Sequence, residues 1–169
     1  MALLRSILFV PATRVDRIPK ALQSGADAVV VDLEDAVEFS AKDSAREALE
    51  AFANENPDTR FLVRINDAKA KWFKDDIAMC SRLANVTGVM LPKAESEQQI
   101  EAAAAAGKPV YPILESALGI ARVAEVCAAP GVARVSFGAL DLTLDLNLDS
   151  DSAGANALLD HVRCQISIH

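Results

Sequence analysis

The sequence predicts a parallel α/β protein. Short β-branched runs alternate with longer stretches of helical apolar spacing. The strand ends recur roughly every 22 to 34 residues, the length of one βα unit, and simple alternation implies a parallel sheet. No linker or break in composition interrupts the pattern, so residues 1–169 read as a single domain. Two architectures meet this pattern, a doubly wound open sheet and a (β/α)8 barrel. A dinucleotide fingerprint would favour the first, but the turn after Val10 reads PATR, and neither GxGxxG nor a P-loop occurs.

Each element has its own signal. Ser6–Val10 (SILFV) is the first strand, and Val15–Gln23 a short helix stopped near Gly25. Ala28–Asp32 (AVVVD) is the second strand. Ser40 is expected to cap a helix running to about Ala53, with Ala45, Leu49 and Phe52 on one face. Phe61–Ile65 (FLVRI) is the third strand, followed by a helix over Ala70–Leu83 that turns Phe73, Ile77 and Cys80 inward. Gly88–Leu91 is the fourth strand. Ser96 caps an alanine-rich helix ending near Ala106, with Gln99 completing a capping box and Gly107 as the stop. Val110–Leu114 (VYPIL) is the fifth strand. Pro112 removes a ladder donor there and calls for a bulge or a short ladder. Leu118–Cys127 is a helix, Ala133–Phe137 the sixth strand, and Leu158, Leu159, Val162 and Ile166 mark a last amphipathic helix.

Composition narrows the function. Half of the 169 residues are hydrophobic, enough to bury a real core, and the formal charge is −7. A basic face for nucleic acid is therefore not expected. No apolar run reaches the roughly 18 residues of a membrane span. The opening MALLRSILFVPATR reads as a first strand and not as a signal peptide, since its apolar stretch is short and holds Arg5. Cys80, Cys127 and Cys164 are odd in number and far apart; they suit a reducing cytoplasm and lack zinc spacing. His161 and Cys164 share a helix face, a pair that reads as packing or surface.

In parallel α/β folds, function sits at the C-terminal ends of strands. Those positions hold Pro11, Ala12, Thr13 and Arg14; Asp32, Glu34 and Asp35; Arg64 and Asn66; Pro92 and Lys93; Glu115 and Ser116; and Gly138 and Asp141. Nearly every strand delivers a polar or charged group to one rim. Glu115 and Asp141 lie one βα unit apart and are expected on neighbouring strands, about 5 Å apart in the sheet. Carboxylates that close repel unless a cation lies between them or one is protonated. With no His or Cys beside them they suit a hard ion such as Mg²⁺, which takes one or two carboxylates and leaves positions for water and substrate. Arg64 must find an anion; Glu34 or Asp35 could serve, and its planar fork also matches a substrate carboxylate. Pro11, Ala12 and Lys93 are further candidates for touching substrate. Arg5, Arg14, Arg17 and Lys20 form a basic cluster near the first strand.

RSILFVPA, DAVVVDLEDAV with AKDSAR behind it, VRIN, VMLPKAE, ILES and FGALDL, in this order along the whole chain, resemble the citrate lyase β-subunit-like family of citryl-, malyl- and citramalyl-CoA lyases. The resemblance implies a TIM barrel, Mg²⁺ and a coenzyme A thioester. It implies that Glu115 and Asp141 ligate the metal, that Arg64 binds the substrate carboxylate, and that Glu34 and Asp35 hold metal-bound waters and orient Arg64. Ala12 stands where the family usually has Gly, which would crowd the mouth, and Leu114-Glu115-Ser116 stands where it often has Ile-Glu-Thr.

A barrel closes with eight strands, and six are expected here. The last strands and the C-terminal lid that the resemblance implies do not appear in this pattern, so the chain is expected to be a fragment or a partly traced chain, with a divergent truncated member as the alternative. The expected function is a cytoplasmic, Mg²⁺-dependent carbon–carbon lyase that cleaves a hydroxy-carboxy-acyl-CoA to a 2-oxo acid and an acyl-CoA. A homo-oligomer, trimer or hexamer, is expected. The alternatives are a non-catalytic subunit binding metal and oxo acid, and a pyruvate-class aldolase that does not use coenzyme A.

Overall fold

A computed structural model describes residues 4–169. Residues 1–3 of the opening segment, read as leading into the first strand and not as a signal peptide, lie outside the described residues. Six parallel strands run in sequence order across one sheet: β1 (Ile7–Pro11), β2 (Ala28–Asp32), β3 (Phe61–Arg64), β4 (Val86–Leu91), β5 (Val110–Leu114) and β6 (Ser136–Phe137). The sheet curls into a half-barrel, and sequential parallel neighbours are what a (β/α) barrel, not a doubly wound sheet, requires. The register sets Pro11 beside Asp32 and Asp32 beside Arg64, so three expected rim positions end level with one another. β5 meets β6 over two residue pairs only, Ile113 with Ser136 and Leu114 with Phe137. That is the short ladder Pro112 called for.

The helices are α1 (Ile18–Leu22), α2 (Lys42–Glu55), α3 (Phe73–Arg82), α4 (Glu97–Ala104), α5 (Ala117–Ala121), α6 (Val123–Ala128), α7 (Ala139–Asp145) and α8 (Ala153–Ile168). Several differ from the sequence reading. The first expected helix divides into a 3₁₀ turn over Ala12–Arg17 and α1, where Pro19 fits the first turn because its missing N–H would be unpaired there anyway. Ser40 does not cap α2. Phe39–Ala41 form a 3₁₀ turn, the helix starts later, and Ala41 holds the N-cap position with no side-chain bond. Ser96 caps α4 as expected, accepting from the Gln99 N–H. The Gln99 side chain, however, reaches one residue further back and accepts from the Glu95 N–H at 2.6 Å. The expected helix Leu118–Cys127 breaks at Arg122, whose backbone leaves helical geometry between α5 and α6. α7 was not expected: of its leucines only Leu142 is buried, while Leu140 and Leu144 are exposed, so no apolar stripe announces it.

Strand side chains alternate between two environments. Val29, Val31, Val63, Ile65, Val89, Leu91 and Leu114 pack outward against Leu49, Ala53, Ile77, Cys80, Ile100 and Val126 of the helices. Val30, Leu62, Met90 and Ile113 form a smaller cluster on the opposite, inner face, with Ile7 and Tyr111 beside it. Asp32, Arg64 and Glu115 each stand two residues beyond a member of the inner cluster. They therefore crown it at the C-terminal rim.

Candidate active site

The β2 exit is built around Asp32. Its carboxylate, 1% exposed, accepts from the backbone N–H of Glu34 at 2.8 Å and of Ala36 at 3.2 Å, folding the LEDA that follows the strand into a tight loop. The same carboxylate takes the fork of Arg64, with Nε at 2.7 Å from Oδ1 and the second nitrogen bond on Oδ2. Arg64 also lies 3.2 Å from Glu34 and 3.6 Å from Asp35, and its guanidinium stacks on Phe9 at 5.2 Å from the ring centre. Burial works against the Arg64 charge, but the Asp32 hydrogen bonds and the three carboxylates overcome it and hold its pKa above the ordinary value.

Lys93 links this loop to the β5 side. It follows β4 in the left-handed region, φ 49°, a conformation that costs a lysine about 1–3 kcal/mol. The turn aims its N–H at Glu115 Oε1, 2.8 Å away, while its ammonium reaches Glu34 Oε1 at 2.6 Å. Asp35 and Asp141 stand 4.0 and 3.9 Å from the same ammonium. Burial opposes the Lys93 charge as well, and Glu34 again outweighs it, raising the pKa. The Glu34 pKa is raised too, but for a different reason: burial raises its carboxyl, and Lys93 only partly offsets this.

Glu115 is 5% exposed at the end of β5. Gly138, which leads β6 into α7, leaves room for it: a Cβ there would stand 2.5 Å from Glu115 Oε2. Asp141 enters in the first turn of α7. Burial pushes the Glu115 carboxyl up to about 7; the Lys93 N–H opposes this and the Asp141 charge adds to it. A buried carboxyl lifted by a second carboxylate is short of a counter-cation. Among the described residues, no three His, Cys, Asp or Glu side chains are gathered as a ready-made metal cage. Glu115 and Asp141 thus fit a cation that accepts few protein ligands and fills its shell with other oxygens, which is the habit of Mg²⁺.

The structure therefore brings Glu34, Asp35, Arg64, Lys93, Glu115 and Asp141 to one rim. The other candidates lie differently. Pro11 ends β1 level with Asp32. Ala12 is fully buried with its methyl in the core, so it does not crowd the mouth as its substitution for Gly suggested. Arg5 precedes β1 and pairs with Asp27 at the opposite, N-terminal end of the strands, and Arg14 is paired with Asp16. Arg17 and Lys20 line a cavity of about 760 Å³ with Leu8 and Phe9 along the β1 edge. Asp32 was placed at the rim by the sequence, but its role as the partner of Arg64 was missed. Glu34 or Asp35 were considered as partners of Arg64, yet strand alternation places Asp32, not Glu34, directly across from it.

An all-parallel α/β half-barrel whose strand ends gather paired carboxylates with an arginine and a lysine has the layout of a (β/α)-barrel protein with its site at the C-terminal rim. The chain belongs to the HpcH/HpaI aldolase/citrate lyase family, whose model matches residues 5–169. It is 33% identical to a citrate lyase subunit beta-like protein of Deinococcus radiodurans, over 99% of this chain and 62% of that protein. It is 32% identical to a (3S)-malyl-CoA thioesterase of Cereibacter sphaeroides, over 84% of this chain and 51% of that protein. The chain thus spans between about half and two thirds of the length of these relatives. Among solved structures, it superposes on the citrate lyase beta subunit of M. tuberculosis complexed with oxaloacetate and magnesium, with a TM-score of 0.84 and 35% identity over 98% of this chain and 74% of the other. The same mycobacterial protein in complex with magnesium, acetoacetate and coenzyme A matches with a TM-score of 0.83 and 34% identity, over 98% of this chain and 62% of that one. No helix among the described residues is long and apolar enough to cross a membrane.

Proposed function

We propose that this chain carries the metal- and acid-binding rim of a Mg²⁺-dependent lyase that cleaves a hydroxy-carboxy-acyl-CoA to a 2-oxo acid and an acyl-CoA. The observation that carries the reading is the meeting of two opposite demands on one rim. Arg64 and Lys93 offer positive charge to an acid, and 2.8 Å from the Lys93 backbone the Glu115 carboxyl, raised by burial and Asp141, calls for a cation. Glu115 and Asp141 would hold the metal. When bound, Mg²⁺ supplies a Lewis acid that lowers the pKa of the substrate hydroxyl and stabilises charge on the oxo-acid oxygens.

The chain's own groups account for orientation. Asp32 fills the Nε edge of the Arg64 fork, so a substrate carboxylate meets the outer edge, where Glu34 and Asp35 are already close. That is a narrower welcome than a free fork, and it fixes the direction of approach. Lys93 stands beside it as a second cation. The bond that breaks joins the carbinol carbon to the carbon α to the thioester. Its electrons pass to the acyl-CoA enolate, which then takes a proton, while loss of the hydroxyl proton leaves the 2-oxo acid.

The malyl-CoA thioesterase relatives favour a second reading, hydrolysis of the thioester on the same rim. Incubation with citryl-, malyl- and citramalyl-CoA, with Mg²⁺ and with EDTA, separates the two. The lyase reading expects an oxo acid and an intact acyl-CoA, in Mg²⁺ only. Free thiol in place of oxo acid establishes the thioesterase. Cleavage of hydroxy-oxo acids lacking coenzyme A establishes a pyruvate-class aldolase, and binding of Mg²⁺ and oxo acid without turnover a non-catalytic subunit.

A further inference from the structure

Lys42 occupies a position that disfavours it. It is the first residue of α2, where the helix dipole repels a cation, and it is only 8% exposed. Burial accordingly lowers its pKa, an effect the Glu34, Asp32, Asp35 and Asp76 charges only partly offset. Among the described residues its ammonium has no carboxylate as a direct partner. It donates instead to two backbone carbonyls, Leu33 at 2.8 Å and Glu34 at 2.6 Å. The ring of Trp72 lies 5.9 Å from it, and Phe39 packs edge-on against that ring. An ammonium used in this way fixes backbone.

The backbone it fixes is the carboxylate loop. Asp32 holds the N–H groups of Glu34 and Ala36, the Leu33 N–H bonds to the Arg64 carbonyl at 2.9 Å, and Lys42 holds the carbonyls of Leu33 and Glu34. The peptides on both sides of Glu34 are therefore pinned, which leaves its side chain few ways to point. It points between the two cations of the rim, 3.2 Å from Arg64 and 2.6 Å from Lys93. We infer that Lys42 is a positioning residue: it pins the Leu33–Glu34 backbone so that Glu34 bridges Arg64 and Lys93, and thereby sets the rim's affinity for the carboxylate of an oxo acid. The inference rests on the proposed role of Arg64 in binding that carboxylate.

The test uses binding of Mg²⁺ alone, and of oxaloacetate at saturating Mg²⁺, measured by calorimetry on the full chain. Lys42→Met is expected to weaken oxaloacetate about tenfold while Mg²⁺ binding stays within twofold, because Glu115 follows β5 and Asp141 lies in α7, away from the Leu33–Glu34 backbone that Lys42 holds. Lys42→Arg, which keeps donors within reach, should recover most of the loss. In a Glu34→Ala background, the effect of Lys42→Met should vanish, since the route through Glu34 is gone. If Lys42→Met does not fold, Lys42→Gln, which buries no charge and stops short of both carbonyls, is expected to give the same selective loss. Wild-type oxaloacetate affinity in the folded variant, an equal loss of Mg²⁺ affinity, or a loss that persists without Glu34 each overturns the inference. A wild-type chain that binds no oxaloacetate in Mg²⁺ overturns the proposed function, and the inference with it.

Discussion

Asp32 and Arg64 are register partners on β2 and β3, and the carboxylate of the first closes on the guanidinium of the second through two hydrogen bonds. The pair is almost dry, with side chains 1% and 13% exposed. Buried pairs of this kind add little net stability, but breaking one leaves a charge stranded.

Asp32→Asn should therefore destabilise the protein by about 3 kcal/mol, the lower end for a broken buried pair, since Glu34 and Asp35 still face Arg64. Chemical denaturation measures it. A loss under 1 kcal/mol would mean that Glu34 and Asp35 replace Asp32 without cost.

Arg64→Lys keeps the charge and loses the fork. The single ammonium cannot satisfy Asp32 and a substrate carboxylate together. Turnover, expressed as kcat/KM, should fall at least tenfold, about 1.4 kcal/mol, with the fold retained by circular dichroism. Unchanged turnover would remove Arg64 from the substrate.

How far the sequence reveals this rim depends on whether backbone alternation alone places a residue. Ala28–Asp32 and Val110–Leu114 were expected with the bounds they have, because β-branched and apolar runs ending at a polar residue leave little choice of register. Alternation also made Asp32 the inward neighbour of Arg64, but the run of acids behind it drew attention to Glu34 and Asp35. Lys93 was named as a rim residue, whereas its contacts depend on a left-handed turn that no local pattern announces in a lysine. α7 was invisible for another reason: helix patterns are read from buried stripes, and Leu140 and Leu144 point away from the core. Lys42 sat inside a quoted motif, yet only the fold shows that the Leu33 and Glu34 carbonyls come back to meet it.

Gly138 is needed for the space it leaves, since its φ is negative. An added Cβ would fall 2.5 Å from Glu115 Oε2 and 2.6 Å from Glu115 Cβ. Gly138→Ala must displace the carboxylate, and overpacking of this size costs about 1–3 kcal/mol. Mg²⁺ affinity by calorimetry should drop about tenfold or more. Retained affinity would show that Glu115 tolerates the move, or that the ion sits elsewhere.

The raised Glu115 carboxyl makes a pH prediction for protein kept in EDTA. Its folded pKa, about 7, exceeds the ordinary 4.5, so the folded state binds the proton more tightly than the unfolded state. The contribution, on the order of 3 kcal/mol, is fully present below 4.5 and is lost as pH rises through 7. The melting temperature of the wild type should therefore decline across this window by more than that of Glu115→Gln, which has no proton to lose. Parallel pH profiles would show that Glu115 titrates normally.

The same substitution separates stability from metal binding. Glu115 and Asp141 come from β5 and from the first turn of α7, and each faces the other's charge. Lys93 lies close to both, but its ammonium is already engaged by Glu34 at 2.6 Å and reaches Asp141 only at 3.9 Å. Two carboxylates with one shared, distant lysine remain under-compensated, and one hard cation would serve both. A crystal soaked in Mg²⁺ should show a single ion about 2.0–2.1 Å from one oxygen of each carboxylate, with waters completing its octahedron. Glu115→Gln should abolish that density and the Mg²⁺ dependence of turnover. In EDTA at pH 8 it should leave the melting temperature unchanged or raise it, because a like-charge repulsion is removed. An ion bound by one of the two carboxylates alone, or a Glu115→Gln variant that melts far below the wild type at pH 8, would make the pair structural and leave the lyase reading without its metal.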